Sequence, residues 1–315
     1  MLTIADVREA ADRIRPVVRR TPVFTSETLD RMAGRSLFFK CELFQKTGSF
    51  KYRGASNAVR KLDDAAAAKG VVTHSSGNHG QALALAAKVR GIPATIVMPA
   101  SASPVKKAAI LGYGASVVEC GPSLTDREEK VAELRAKSGA AMIPPFDHPD
   151  VIAGQGTAAL ELLEDVPTLD AVVAPIGGGG LISGFTLAAK GFNPNCRVFG
   201  AEPTGASAAA QSKAGGDRVK LDSTLSIADG LLANYVGQLT WPYIRDQVET
   251  VFTVTEEQIV AAMRLVWERM KLLIEPSAAV GVAVVLGEPF RELTGLSNVG
   301  IVLCGGNVAL DKLFW

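Results

Sequence analysis

Rhythm is what most limits the fold of this chain: short, nearly unbroken runs of Val, Ile, Ala and Phe recur along it, separated by stretches with helical periodicity. The apolar runs cover 37–43, 70–74, 94–98, 115–120, 171–176, 197–201 and 299–304. A strand that alternates apolar and polar residues covers one face of a sheet, whereas a continuous apolar run belongs to a strand buried on both faces, as in parallel sheets. Between the runs, 78–90, 104–111, 125–137, 156–164 and 256–270 have the spacing of helices. The alternation predicts an α/β fold with helices on both sheet faces. Gly91 suits the end of the first of these helices, and Thr255 with Gln258 suits a capped start for the last.

At 315 residues, 48% of them hydrophobic, the chain can bury a large core as one or two compact domains. A formal charge of +1 gives no pull toward nucleic acid or an anionic membrane. The first residues, Met1-Leu2-Thr3-Ile4-Ala5-Asp6, lack the basic-then-apolar order of a signal peptide, and no run is long enough to span a bilayer, so a cytoplasmic protein is expected. Cys41, Cys120, Cys196 and Cys304 are too widely spaced for a zinc ribbon or a disulfide framework. Three of them lie in apolar runs and read as core residues.

Two turns carry polar or glycine clusters where a strand gives way to a helix. Gly177-Gly178-Gly179-Gly180 forfeits helix and strand propensity alike, which makes sense where backbone N–H groups crowd a phosphate at a helix N-terminus. A plain tight turn needs only one or two glycines, and the G-x-G-x-x-G dinucleotide spacing is not met. The other turn, Ser75-Ser76-Gly77-Asn78-His79-Gly80-Gln81, gathers hydroxyls, an amide and helix-start N–H groups suited to a carboxylate. Capping by Ser76 or Asn78 would account for one of these residues but not for the cluster. His79 alone reads as a structural histidine rather than a base.

Lys51 follows Phe50 in the Gly/Ser/Thr-rich run Lys46-Thr47-Gly48-Ser49-Phe50-Lys51-Tyr52-Arg53-Gly54-Ala55, which opens a helix. A desolvated lysine amine can lose its proton and condense with an aldehyde, although a lone lysine at a helix start is ordinarily a surface residue. Together with a glycine bed for phosphate and a polar loop for a carboxylate, it describes a site for pyridoxal phosphate carrying an amino acid.

Those motifs, with Ala153-Gly154-Gln155-Gly156-Thr157, Glu275-Pro276-Ser277 and Cys304-Gly305-Gly306-Asn307, resemble in order and spacing the serine/threonine dehydratase and serine racemase family of fold-type II pyridoxal phosphate enzymes. The resemblance implies a tryptophan synthase β-like fold of two α/β lobes with the cofactor between them. It divides the chain into a large domain, 1–47 plus 144–315, and a small mobile domain, 48–143. By resemblance, Lys51 is the Schiff-base lysine and α-proton base, and Phe50 packs on the cofactor ring. Asn78 bonds the phenolic oxygen, Gly177 to Gly180 hold the phosphate, and Gly230 lies near the ring. Cys304 faces the pyridine nitrogen as a neutral, weak donor, which favours expulsion of a β-leaving group. Ser75, Ser76, Asn78 and His79 hold the substrate carboxylate, and Ser76 stands on the face opposite the lysine, where racemases move a proton.

The implied activity is an ammonia-lyase that removes water from L-threonine, L-serine or a related β-hydroxy amino acid, giving a 2-oxo acid and ammonia. Serine racemase, or a dehydratase for hydroxyaspartate or phenylserine, is the alternative, and a non-catalytic cofactor-binding protein is the different class. In the racemase branch a cation sits on a glutamate, a carbonyl four residues later and an aspartate two beyond. Glu202 and Ala206 match, but Ala208 replaces the aspartate, so potassium or a weakly held magnesium ion is expected. Lys46, Gln81, Tyr113, Lys271 and Asn307 match positions that bind nucleotides in short family members, with Glu27 opposing. A homodimer is usual in the family, and an ending at Trp315 leaves no room for a C-terminal regulatory domain.

Overall fold

The computed structural model describes residues 1–102, 104–310 and 313–314. In chain order its strands are β1 (Val23–Phe24), β2 (Ser36–Cys41), β3 (Val71–His74), β4 (Ala94–Pro99), β5 (Ser116–Cys120), β6 (Ala141–Met142), β7 (Ala171–Pro175), β8 (Arg197–Pro203), β9 (Thr250–Val254) and β10 (Asn298–Leu303). They form two sheets, one ordered β1-β2-β10-β7-β8-β9 and the other β5-β4-β3-β6. Every pairing is parallel except that of β1 with β2. The α/β expectation holds, with each sheet at the centre of one lobe.

Strands β1, β6 and β9 were not among the expected runs. The first and second have two residues each, and β9 is an edge strand, mostly half-buried or exposed, that interleaves threonine with Val and Phe. Such strands give no continuous apolar signal. The helix expected over 156–164 spans Pro149–Asp165. Its early glycines lower helix propensity for a packing reason: an added Cβ at Gly154 would lie 2.6 Å from Gly54 Cα, and one at Gly156 would lie 2.8 Å from the Gly184 carbonyl. Three helices, Lys51–Lys61, Pro149–Asp165 and Gly180–Phe192, thus cross with their backbones nearly touching. The expected caps are present, with Gly91 left-handed at φ 76° and Thr255 and Gln258 in a reciprocal capping box.

The Lys51–Lys61 helix ties the lobes together. Tyr52, Ala55, Ala58 and Val59 pack in the hydrophobic cluster of the smaller sheet with Val71, Leu83 and Ile96. Arg53, also fully buried, reaches large-lobe carboxylates instead, with Nε 2.8 Å from Glu42 Oε2 and Nη1 2.7 Å from Glu161 Oε1. Lys40 closes the cluster on Glu161 at 2.6 Å. Cys41, Cys196 and Cys304 are buried, but Cys120, on edge strand β5, is only half-buried and is not a core residue. Among the described residues, no helix is long and apolar enough to cross a membrane.

Candidate active site

The loop before Lys51 is bent by two consecutive left-handed residues, Thr47 at φ 63° and Gly48 at φ 72°. A threonine there is strained, and the surroundings hold it: Asn307 Nδ2 donates to the Thr47 carbonyl at 2.8 Å, and Gly306 N donates to the Gly48 carbonyl at 2.9 Å. Phe50 N donates to the Cys304 carbonyl at 3.0 Å. The segment after β10 therefore stitches down the loop and fixes Lys51 as the first residue of its helix.

Lys51 Nζ donates to the Pro145 carbonyl at 2.7 Å and lies 5.0 Å from the Phe50 ring centre. It has no ion pair among the described residues. Its side chain keeps a partial opening, yet burial, opposed by Cys304 and Glu275, draws its pKa down to about 8. Cys304 is buried, and burial together with Glu275 pushes its thiol well above the ordinary range, so it stays neutral. Glu275 is buried too; burial and Asp229 raise its carboxyl to about 8.

The tetraglycine runs from the end of β7 into the Gly180–Phe192 helix, whose N-terminus has no side-chain cap. Gly179 is left-handed at φ 95°. A Cβ at Gly178 would meet the Phe146 ring at 2.3 Å, and one at Gly179 would meet Thr240 Oγ1 at 2.7 Å. Only bare backbone fits this cradle, and an uncapped helix start there suits a phosphate. A Cβ at Gly177 would lie 3.4 Å from the Gly230 carbonyl, so Gly230 adjoins the same turn, its N–H donating to Ser277 Oγ at 3.1 Å.

In the other loop, Gly77 is the cap residue of the Asn78–Arg90 helix and no side chain caps it. Ser76 and Asn78 are therefore not spent on capping. Ser75 Oγ accepts from Gly77 N at 3.3 Å. Asn78 Nδ2 donates to Glu275 Oε1 at 2.8 Å, and Asn78 Oδ1 accepts from Asn307 Nδ2 at 2.8 Å. The His79 ring turns into the core, with Nε2 2.8 Å from the Ile143 carbonyl, and burial followed by Lys51 lowers its pKa to about 3. Its imidazole is thus neutral and tied away from the loop, so the inclusion of His79 among carboxylate holders is confined to its main chain.

A cavity of about 560 Å³ lined by His74, Arg127, Pro145, Phe146, Asn234 and Tyr235 adjoins Lys51's carbonyl partner and the glycine cradle. A titratable amine held near neutrality, a cradle of bare backbone and a neutral thiol fit a cofactor bearing an aldehyde and a phosphate.

Both oxygens of buried Glu202 accept main-chain N–H groups at the start of the Ala208–Gly215 helix, from Ala209 at 2.9 Å and Ala210 at 2.8 Å. With alanine at 208 no second carboxylate joins it, and the described residues hold no group of three or more His, Cys, Asp or Glu able to hold a metal. Of the nucleotide positions, Asn307 is engaged with Thr47 and Asn78, Lys271 Nζ donates to the Glu268 carbonyl at 2.7 Å, and Lys46 Nζ lies 5.8 Å from the Tyr52 ring.

The sequence reading gave no role to Glu275, Pro145 or Phe146. A signal existed for Glu275, the single charge in the run Leu272-Leu273-Ile274-Glu275-Pro276. None existed for a carbonyl that meets Lys51 across 94 positions.

The family model described as pyridoxal-phosphate dependent enzyme matches residues 14–305. A serine racemase from Arabidopsis thaliana is 51% identical over 314 residues, covering 99% of this chain and 95% of its own. A beta-hydroxyaspartate dehydratase from Paracoccus denitrificans is 48% identical over 313 residues, covering 99% and 98%. The solved structure of maize serine racemase superposes with a TM-score of 0.97 at 49% identity, covering 98% of this chain and 94% of that one. These likenesses reverse the order of the sequence reading, which placed threonine or serine dehydration above serine racemisation.

Proposed function

The chain belongs to the pyridoxal-phosphate dependent enzymes, and within that family we propose that it is a serine racemase that also eliminates water from its substrate. The observation that carries the reading is Lys51, a half-buried lysine with no carboxylate partner and a pKa near 8, beside a neutral thiol and a glycine cradle. Such an amine is free of its proton in an appreciable fraction of molecules at neutral pH, as a base requires. Pyridoxal phosphate, when bound, supplies an aldehyde for an amine and a conjugated ring that takes up the electron pair left as the Cα–H bond breaks.

The chain's own residues do the rest. Gly177 to Gly180 and the helix start behind them hold the phosphate, and the Ser75–Ser76–Asn78 loop with the main chain of His79 orients the carboxylate. Lys51 Nζ takes the α-proton. Ser76 Oγ, not spent on capping, returns a proton from the other face, which inverts the centre. Where the β-hydroxyl leaves as water before the proton returns, the enamine released takes up water at its C–N bond and gives a 2-oxo acid and ammonia. Cys304 stays neutral and imposes no full charge on the ring nitrogen.

The discriminating experiment offers L-serine, D-serine, L-threonine, β-hydroxyaspartate and phenylserine to the enzyme and scores product chirality and 2-oxo acid. D-serine from L-serine, with slower pyruvate, is expected, and Ser76→Ala should keep the pyruvate and lose the D-serine. Turnover without change of chirality returns the enzyme to the dehydratases, and a yellow protein without turnover makes it a binding protein. A second reading, dehydration of β-hydroxyaspartate, is favoured by Arg127. This half-buried guanidinium lines the cavity with no ion pair among the described residues, and the Paracoccus relative carries that name.

A further inference from the structure

Three stretches distant in sequence meet at Asn78, and the site reading above gives their meeting a purpose. Glu275 is 3% exposed and has no ion pair among the described residues, although Lys51, Asp229 and Lys106 all act on its charge. Its Oε1 accepts from Asn78 Nδ2 at 2.8 Å and its Oε2 from Asn307 N at 3.1 Å. Asn307 Nδ2 in turn donates to Asn78 Oδ1 at 2.8 Å. A side-chain amide has one oxygen acceptor and two N–H donors. In Asn78 the oxygen and one N–H are taken from opposite sides, so a flip would set donor against donor and acceptor against acceptor. One N–H remains.

Gly305 makes the arrangement possible, because a Cβ there would lie 2.5 Å from Glu275 Oε1. Burial and Asp229 make the charge of Glu275 costly, which is what raises its carboxyl, while the N–H groups of Asn78 and Asn307, one on each oxygen, favour the ionised form and could be satisfied by no apolar residue. We propose that Glu275 is a positioning residue: with Asn307 it locks the Asn78 amide in one orientation and reserves a single N–H for the ring oxygen of pyridoxal phosphate. The proposal rests on the reading of the site as a pyridoxal phosphate site.

Glu275→Gln tests it, since both partners of the carboxylate are donors and the single oxygen of an amide cannot serve them in the same way. The pyridoxal phosphate dissociation constant, read by absorbance titration, should rise about tenfold, the equivalent of one hydrogen bond, with a shift in the absorbance maximum of the bound cofactor. The variant should melt without cofactor at or above the wild-type temperature. Asn78→Ala should reproduce both changes and add little in the Glu275→Gln background. Unchanged affinity and spectrum in Glu275→Gln, or penalties that simply add, would overturn the role. If Glu275→Gln does not fold, Gly305→Ala displaces the carboxylate, and wild-type affinity and spectrum in that variant overturn the role equally. Wild-type protein that takes up no pyridoxal phosphate refutes the site reading itself, an outcome distinct from these.

Discussion

Two cations, one half-buried and one buried, stand two residues apart at the start of one helix, and their surroundings are opposite. Arg53 is enclosed by Glu42 and Glu161, with Lys40 making the cluster two against two. Burial works against its charge, but the two carboxylates overrule it and its pKa rises. Lys51 meets the Pro145 carbonyl and the Phe50 ring but no carboxylate, and its pKa falls to about 8. Pairing fixes a charge permanently, which suits a joint between lobes. A cation left unpaired titrates near neutrality, which suits chemistry.

Removing each cation should break the comparison in opposite ways. Lys51→Ala should reduce turnover by at least about a thousandfold and abolish the visible absorbance of the bound cofactor. Its apoprotein should melt no lower than wild type, because the lost charge had no partner; a large loss of stability would show that Lys51 is structural. Arg53→Ala should do the reverse of this on stability, costing about 3–5 kcal/mol in chemical denaturation, since it strands Glu42 in the interior and leaves Glu161 with Lys40 alone. Near-wild-type stability in that variant would mean the cluster contributes nothing net and the contrast is false.

The two cations also differ in how far the sequence revealed them. Lys51 was singled out only in combination with the tetraglycine and the 75–81 loop, because a lysine at a helix start is by itself ordinary and the groups that surround it, Pro145, Cys304 and Glu275, are distant in the chain. The tetraglycine was legible because four glycines together forfeit so much propensity that a plain turn is a poor explanation. Arg53 was quoted only as part of a motif, since Glu42 and Glu161 lie 11 and 108 positions away and nothing local announces burial. The Pro145 carbonyl was hidden for the same reason, whereas Glu275 left a local signal as the one charge in an apolar run. At Glu202 the motif carried the glutamate and the sequence already placed alanine at 208, but that helix N–H groups bond both its oxygens was not legible there. Parallel strands buried on both faces were easy to see, and the short edges β1 and β6 were not.

A smaller effect sharpens the comparison through pH. Lys51 binds a proton below about 8 when folded but below 10.5 when unfolded, so between these values the unfolded chain holds more protons and stability rises with pH. Buried thiols titrate in the same range, so the measurement is the difference in apoprotein unfolding free energy between wild type and Lys51→Met. Wild type should gain up to about 3 kcal/mol relative to the variant from pH 8 to pH 10.5. The gain ends above the unfolded value. A flat difference would show that Lys51 titrates normally and that its burial has no consequence for its charge.

The smallest change tests whether the neutrality of Cys304 keeps Lys51 where it is. Uptake of the cofactor aldehyde by apoprotein requires unprotonated Lys51, so its rate should follow pH with a midpoint near 8. Cys304→Ser exchanges one neutral group for another, and it should shift that midpoint by less than about half a unit while costing about 1 kcal/mol of stability. Cys304→Asp puts a carboxylate beside the amine, favours its protonated form and should move the midpoint upward. A serine variant that moves as far as the aspartate variant would mean that the shape of the thiol, rather than its lack of charge, sets the amine. The contrast between the two cations would then no longer be one of charge pairing alone.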